Sequence, residues 1–462
     1  MTLVVSLLVL VMMLLVLGYT INQDDGKIEQ GSLLQLTSRP SGAEVSIDGT
    51  DVGATTNTKR TVSTGEHTIN YTLEKYHPWS KSVNVNAGQV VWVNYARLVP
   101  IDLVPTTVQT FASVASMSAS PNRSYILLHE KPGSSIFQFV DVRTDDVRTT
   151  KVTLPIGSLS IPTTGTQTVR VVDWSDNENF VLVRNDFGNQ TEWVLIDREH
   201  PEKSININKV FAIDPDKVVF AGKSDRLLFA LVDHEVKRLN TSDESISASL
   251  ATSVDDFSVY NDSTIAYTGL PNELGVRVAG YSQSDFRQQQ IIRTYHNADK
   301  PFFVAMSSYF NKRYVAVVRD NQLIVDTGSF ATPSSSPDLK RVFAKDIPSG
   351  VRKLTMSANG QFVLLEYSDK FAVYDIELGM YHQTQWTYQT AHQRTVQWLD
   401  DYIIWSDNGG NLSMYDFDGA NQHDLMKVTE GFSAALAGGG KYVYGLLQTD
   451  KGYELRRVQL VL

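Results

Sequence analysis

The chain opens on an unbroken apolar run and then changes period. From Leu3 to Leu17 the only polar residue is Ser6, and the first charge of either sign is Asp24. A helix over residues 1–21 would be about 30 Å long, roughly one hydrocarbon core. The run therefore predicts a transmembrane anchor or an uncleaved signal. No small-residue cleavage site follows it, since Leu17-Gly18-Tyr19-Thr20 is a poor match. A basic flank is also missing, so the natural start is expected upstream of Met1. On this reading the protein is a single-pass protein of the cell membrane, with the bulk of the chain extracytoplasmic.

Residues 22–32 are polar, without an apolar period, and read as a linker. Beyond them the period is two. Short runs rich in Val, Ile, Thr and Tyr alternate with turn residues, and no fifteen-residue amphipathic helix is found. Residues 33–98 predict about five strands of a small β-sandwich. In it Val45 and Ile47 alternate, as do Ile69, Tyr71 and Leu73. Asp48-Gly49 is a strong hairpin signal, because glycine accepts the positive φ of a tight primed turn. The three acids Glu44, Asp48 and Asp51 lie within eight positions. The hairpin separates them, since Glu44 faces away from Val45 and Ile47 while Asp48 serves the turn.

This stretch resembles a PEGA domain. The signature tetrapeptide stands as Pro40-Ser41-Gly42-Ala43, followed by Val45-Ser-Ile-Asp-Gly49, Val52-Gly53-Ala54-Thr55 and Tyr76-His-Pro-Trp79. Ser41 replaces the usual Glu, and Thr56-Asn57 replaces the usual Pro-Leu. The resemblance implies an extracytoplasmic accessory or adhesive β module, with no catalytic residues to carry over.

From residue 99 to 462 one pattern recurs: a small-polar turn cluster, then an aromatic-aliphatic strand. It appears as "SASPNRSYILLHE" from Ser118, "DWSDNENFVLVRN" from Asp173, "IDPDKVVFAG" from Ile213 and "VYNDSTIAYTG" from Val259. It continues as "MSSYFNKRYVAVVRD" from Met306, "MSANGQFVLLEYSD" from Met356, "LDDYIIWSDN" from Leu399 and "ALAGGGKYVYGLLQ" from Ala435. A spacing of roughly 45 residues suits four-stranded propeller blades. The form at Ser357–Leu365 resembles the WD40-like or TolB-type β-propeller repeat. Eight clusters predict eight blades, or seven if the Ala435 or Val259 copy is not a blade. The last repeat offers strands near 433–437, 441–448 and 453–460 and lacks one. The apolar run 99–104 is expected to supply it and close the ring.

The predicted fold class is all-β: one N-terminal transmembrane helix, a small sandwich and a β-propeller. Net charge is −10, which disfavours a nucleic-acid partner. Cysteine is absent, so disulfides, thiolate metal sites and Cys nucleophiles are excluded. There is no G-x-S-x-G elbow and no H-E-x-x-H. "AGKSDR" at 221–226 lacks the glycines of a phosphate loop and reads as a turn. "SDNGGN" at 406–411, "TDDVR" from Thr144 and "DFDG" from Asp416 read as turns too, because calcium needs six to eight oxygens in a defined frame. No catalytic residue, metal site or cofactor is expected. Most tryptophans are expected in cores, including Trp79 and Trp92 in the sandwich. Trp386, Tyr388 and Trp405 are the candidates for stacking on a ligand. The expected function is binding or scaffolding at the cell envelope, through propeller loops, on a protein or glycan partner. A glycan hydrolase or lyase with carboxylates in the central mouth is one alternative, and a partner-dependent envelope sensor is another.

Overall fold

The computed structural model describes residues 5, 9, 12–13, 19–21, 28–162, 166–284, 288–296, 302–330, 337–386 and 396–462. Residues 32–97 form two facing sheets. One orders Thr50–Thr55, Glu44–Ile47, Gly65–Thr72 and Trp79–Val85; the other orders Thr58–Val62, Ser32–Arg39 and Val90–Arg97. The central strand of the second sheet runs parallel to Val90–Arg97, with Leu33 opposite Val90. Strict alternation sends Leu34, Leu36, Val91 and Val93 inward against Ile69, Tyr71 and Val83. Asp48 (φ 52°) and Gly49 (φ 78°) both take positive φ, as the primed turn requires.

Beyond residue 105, the described residues form eight four-stranded antiparallel sheets, each a propeller blade, and in seven of them the strands follow chain order. Blades 1 to 7 span residues 116–153, 167–206, 217–246, 254–296, 302–346, 353–385 and 397–427. Blade 8 comprises Ala435–Leu436, Tyr442–Thr449 and Gly452–Gln459. Its outer strand comes from the front of the propeller and pairs with Gly452–Gln459. The copies at Val259 and Ala435 are both true blades.

The recurring turn has a local cause. Ser120, Ser175 and Ser357 each accept, through Oγ, the backbone N–H five residues on, from Tyr125, Phe180 and Phe362, at 2.9–3.0 Å. A small polar residue thus fixes the turn between the first and second strands, and an aromatic residue starts the second. The copy at Ile213 is out of step. "IDPD" precedes the inner strand Lys217–Phe220, and the turn is the 221–226 stretch before Leu227–Val232.

Blade faces are apolar on both sides, and each core cluster straddles two neighbours. Leu127, Phe137 and Phe139 of blade 1 pack on Trp174, Val181 and Val194 of blade 2. Blade 8 packs on blade 1 through Leu446, Leu455, Ile126 and Val140. The cluster between blades 6 and 7 continues without a break into the sandwich core.

Two expectations are corrected here. Among the described residues no helix is long and apolar enough to cross a membrane, so the single-pass cell-membrane assignment is withdrawn. The predicted span also ends differently: Tyr19–Ile21 is a strand paired with Ile28–Gln30, which meets its backbone hydrogen bonds outside any helix. Most of residues 1–18, and residues 22–27 of the predicted linker, lie outside the described residues. The second correction concerns the closing strand, which is Thr106–Phe111 and not the run 99–104. That run is apolar for another reason. It leaves the sandwich through a Tyr76–Pro100 bridge and buries Val99 between blades 7 and 8.

Candidate functional site

The sandwich sits on the turns of blades 7 and 8, and the junction is built from one strand of alternating pattern. Along Trp79–Val85, Trp79, Lys81 and Val83 point inward while Ser80 and Ser82 are exposed. A lysine in an inward position needs a buried counter-charge. The turn of blade 7 from Asp416 to Asn421 supplies it. Lys81 pairs with Asp418, both nearly buried, and its Nζ lies 4.4 Å from the Phe417 ring centroid. Trp79 Nε1 and Asn421 Nδ2 donate to Asp416 Oδ2 at 2.9 and 2.8 Å. Asn421 also exchanges two hydrogen bonds with the Ser80 backbone, at 3.0 and 3.2 Å. Arg97 ion-pairs with Asp400 at 2.7 Å and donates to Gly440 O of blade 8 at 3.2 Å. The Tyr76 hydroxyl accepts from Leu462 N at 2.8 Å.

One lysine faces two buried carboxylates, so they divide. Burial pushes Asp416 up to about 7; the Asp418 charge adds to this, and Lys81, Asn421 and Trp79 offset part of it. Burial also acts on Asp418, but the Lys81 charge and hydrogen bond outweigh it and hold Asp418 below the ordinary carboxylate range. The Asp416 carboxyl is protonated well above the 3.8 of a free side chain. Its stabilising contribution is therefore full below about 3.8 and is lost as pH rises through about 7. Asp416→Asn, uncharged at any pH, is expected to gain melting temperature relative to the parent between pH 5 and pH 8. A difference that stays constant across that range in calorimetry would contradict this assignment. With 2% exposure, Asp416 has no route to a substrate, and its shifted carboxyl is structural.

A funnel of about 810 Å³ runs along the inner strands of blades 1, 2, 7 and 8. Its charged residues are Arg123, Arg170, Asp173, Asp400 and Asp401. Most are already engaged. Asp173 accepts from Trp174 N at 2.9 Å and Phe220 N at 3.1 Å, and burial pushes its carboxyl up to about 6. Asp400 accepts from Tyr402 N and Ile403 N at 2.9 and 2.8 Å besides Arg97. Arg170 pairs with Asp186 at 2.7 Å. At the sandwich end the funnel meets a crevice of about 260 Å³ lined by Arg39, Arg97, Arg123, Asp400, Asp401 and Tyr402. Among the described residues no three His, Asp or Glu side chains are grouped to hold a metal ion.

The two described stacking candidates lie in different core clusters. Trp386 is 6% exposed and packs on Phe371 and Tyr415 at 5.0 and 5.7 Å. Trp405 is 4% exposed in the wedge between blades 7 and 8. Neither offers a ring face to a ligand, because blade packing covers both, and Tyr388 lies outside the described residues. Trp79 is core as expected. Trp92 is not: at 43% exposure it stands on the outer face of the three-stranded sheet, opposite Gln35. Its position in the alternation, between inward Val91 and Val93, carried that information. The "SDNGGN" stretch is a turn, with Asp407 accepting from Gly431 N at 2.7 Å. "DFDG" is also a turn, and it carries the two junction carboxylates as well. Its signal was the inward Lys81 that needed them.

Comparison with known proteins bears out the reading of the small domain: the PEGA domain family matches residues 32–100. Curated proteins give no match. Among solved structures, the Dos1 propeller shares 12% identity over 77% of this chain and 94% of its own, with a TM-score of 0.46. Porphyromonas gingivalis dipeptidyl peptidase 4 shares 10% over 74% of this chain and 57% of its own, at 0.45. An oligogalacturonate lyase in complex with manganese shares 7% over 76% and 98%, at 0.41. The PEGA match and the eight four-stranded sheets together give a PEGA domain followed by a β-propeller. The neighbours include enzymes, at identities that bear on catalysis in neither direction.

Proposed function

We propose that this chain is a binding or scaffold protein whose PEGA domain is locked beside the mouth of the propeller funnel, where a protein or glycan partner is received. The supporting observation is the junction itself. Buried bonds from Trp79, Lys81 and Arg97 fix the two domains as one surface, and the open volume lies where they meet. Ligand sites favour such domain boundaries. Rigid presentation also limits the ordering cost on binding. The funnel acids Asp173 and Asp400 are tied to backbone N–H groups, an arrangement suited to holding shape. Asp173→Asn and Asp400→Asn are therefore not expected to act as loss-of-turnover variants.

The test is capture of partners by the full chain, from envelope extracts and on a glycan array, against two variants. Val172→Trp places a large ring on an exposed funnel wall. Leu274→Trp changes a more exposed site on the opposite turns of blade 4. Capture is expected to fall at least about tenfold, roughly 1.4 kcal/mol, in the first and to be unchanged in the second. Equal capture by both variants, or turnover of an arrayed glycan, would reject this reading.

A further inference from the structure

The crevice between the PEGA domain and the funnel has more cationic groups than anionic ones. Three guanidiniums, Arg39, Arg97 and Arg123, meet two carboxylates, Asp400 and Asp401, in a chain whose net charge is −10. Arg97 is committed to Asp400 and Gly440 through its two terminal nitrogens. Its Nε is buried without a hydrogen-bond partner, on a residue only 6% exposed. A buried N–H left unpaired costs about 1–3 kcal/mol, and such a group calls for an explanation such as an absent ligand. Among the described residues, the side chains of Arg39 and Arg123 make no hydrogen bond or ion pair either. Arg123 senses the charge of Asp401 without contacting it as a partner. Arg123 also lines both the crevice and the funnel, so a ligand in the funnel can reach this cluster.

We infer that this crevice is a binding site for a single carboxylate group, held between Arg39 and Arg123 beside the buried Arg97. Guanidinium forks match carboxylate geometry. The charge balance selects the class of anion. One uncompensated positive charge suits a monoanion, whereas Asp400 and Asp401 repel a phosphate dianion. The Tyr402 hydroxyl and Asn94, 3.4 Å apart on the crevice wall, offer neutral hydrogen bonds to the rest of the ligand. The inference rests on the funnel reading above and gives that site a ligand class.

Isothermal titration of the full chain with sodium glucuronate, sodium glutamate, glucose and inorganic phosphate tests it. Saturable binding of one equivalent is expected for at least one carboxylate, with phosphate about tenfold weaker and glucose silent. Tighter glucuronate assigns the carboxylate to an acidic sugar, and tighter glutamate to an amino acid or peptide. Arg39→Ala and Arg123→Ala, which remove no hydrogen bond or ion pair among the described residues, are each expected to weaken binding at least about tenfold with little change in melting temperature. Arg123→Lys should recover part of the loss, because the charge remains while the fork is gone. The inference is overturned if neither carboxylate saturates, if phosphate binds as tightly, or if the alanine variants bind like the parent. Should carboxylates fail while Val172→Trp still abolishes capture, the funnel reading stands and only the ligand class falls. Carboxylate binding with capture indifferent to Val172→Trp keeps the ligand class and removes the funnel reading.

Discussion

Lys81→Ala is expected to lower stability by about 3–5 kcal/mol, the usual cost of removing one partner from a buried ion pair. Lys81 is 8% exposed and is the cation facing both Asp416 and Asp418. Without it, Asp418 must either stay charged in a low-dielectric junction or take up a proton. The loss falls on the contact between domains, so the PEGA domain is expected to unfold or separate first. Calorimetry should show an early transition, and limited proteolysis should cut near residues 99–105. The double variant Lys81→Met with Asp418→Asn is expected to recover most of the loss, since replacing a whole buried pair is often nearly neutral. A loss below about 1 kcal/mol in Lys81→Ala would mean that the pair behaves like an exposed salt bridge.

The second large effect lies at the ring closure. Gly452, at φ 122°, begins the strand that Thr106–Phe111 joins, and a Cβ there would overlap the carbonyl oxygen of Phe111. Gly452→Val combines backbone strain with displacement of the closing strand, and about 3 kcal/mol or more is expected. Gly431 makes the comparison informative. It also has positive φ, 88°, but a Cβ would meet nothing within 4 Å. Gly431→Val therefore isolates backbone strain and should cost only about 1–2 kcal/mol. Denaturant unfolding of the two variants measures the difference. Equal losses would show that the closing strand tolerates displacement and that ring closure contributes little.

The blades are legible in the sequence because their signals are local. In blades 1, 2 and 6 a serine binds the N–H five residues on, and an aromatic residue there starts the second strand. Where that chemistry weakens, the pattern misleads: "IDPD" has the composition of the turn that "AGKSDR" makes. The outer closing strand is hard to place from sequence because Thr106–Phe111 is mostly exposed and polar, whereas the more apolar run 99–104 serves the domain junction. Within that run only part of the apolar surface is buried, since Val99 is 1% exposed and Val104 72%. The same ambiguity governs the tryptophans. Trp386 follows a strand end and Trp405 lies next to a turn, yet both are covered by neighbouring blades, and Trp92 lies in a strand yet faces outward.

By itself, then, the sequence determined what short-range physics controls: period-two strands, the Asp48-Gly49 hairpin and the turns of most blades. Only the tertiary structure decided how distant stretches meet. It joins the sandwich core to the wedge between blades 6 and 7, and places Trp79 and Lys81 on carboxylates more than three hundred residues away. It also gathers Arg39, Arg97 and Arg123 around one crevice. Strand period and turn chemistry act over a few residues, whereas charge pairing and core packing act through space, and a linear pattern holds no distance between its remote parts.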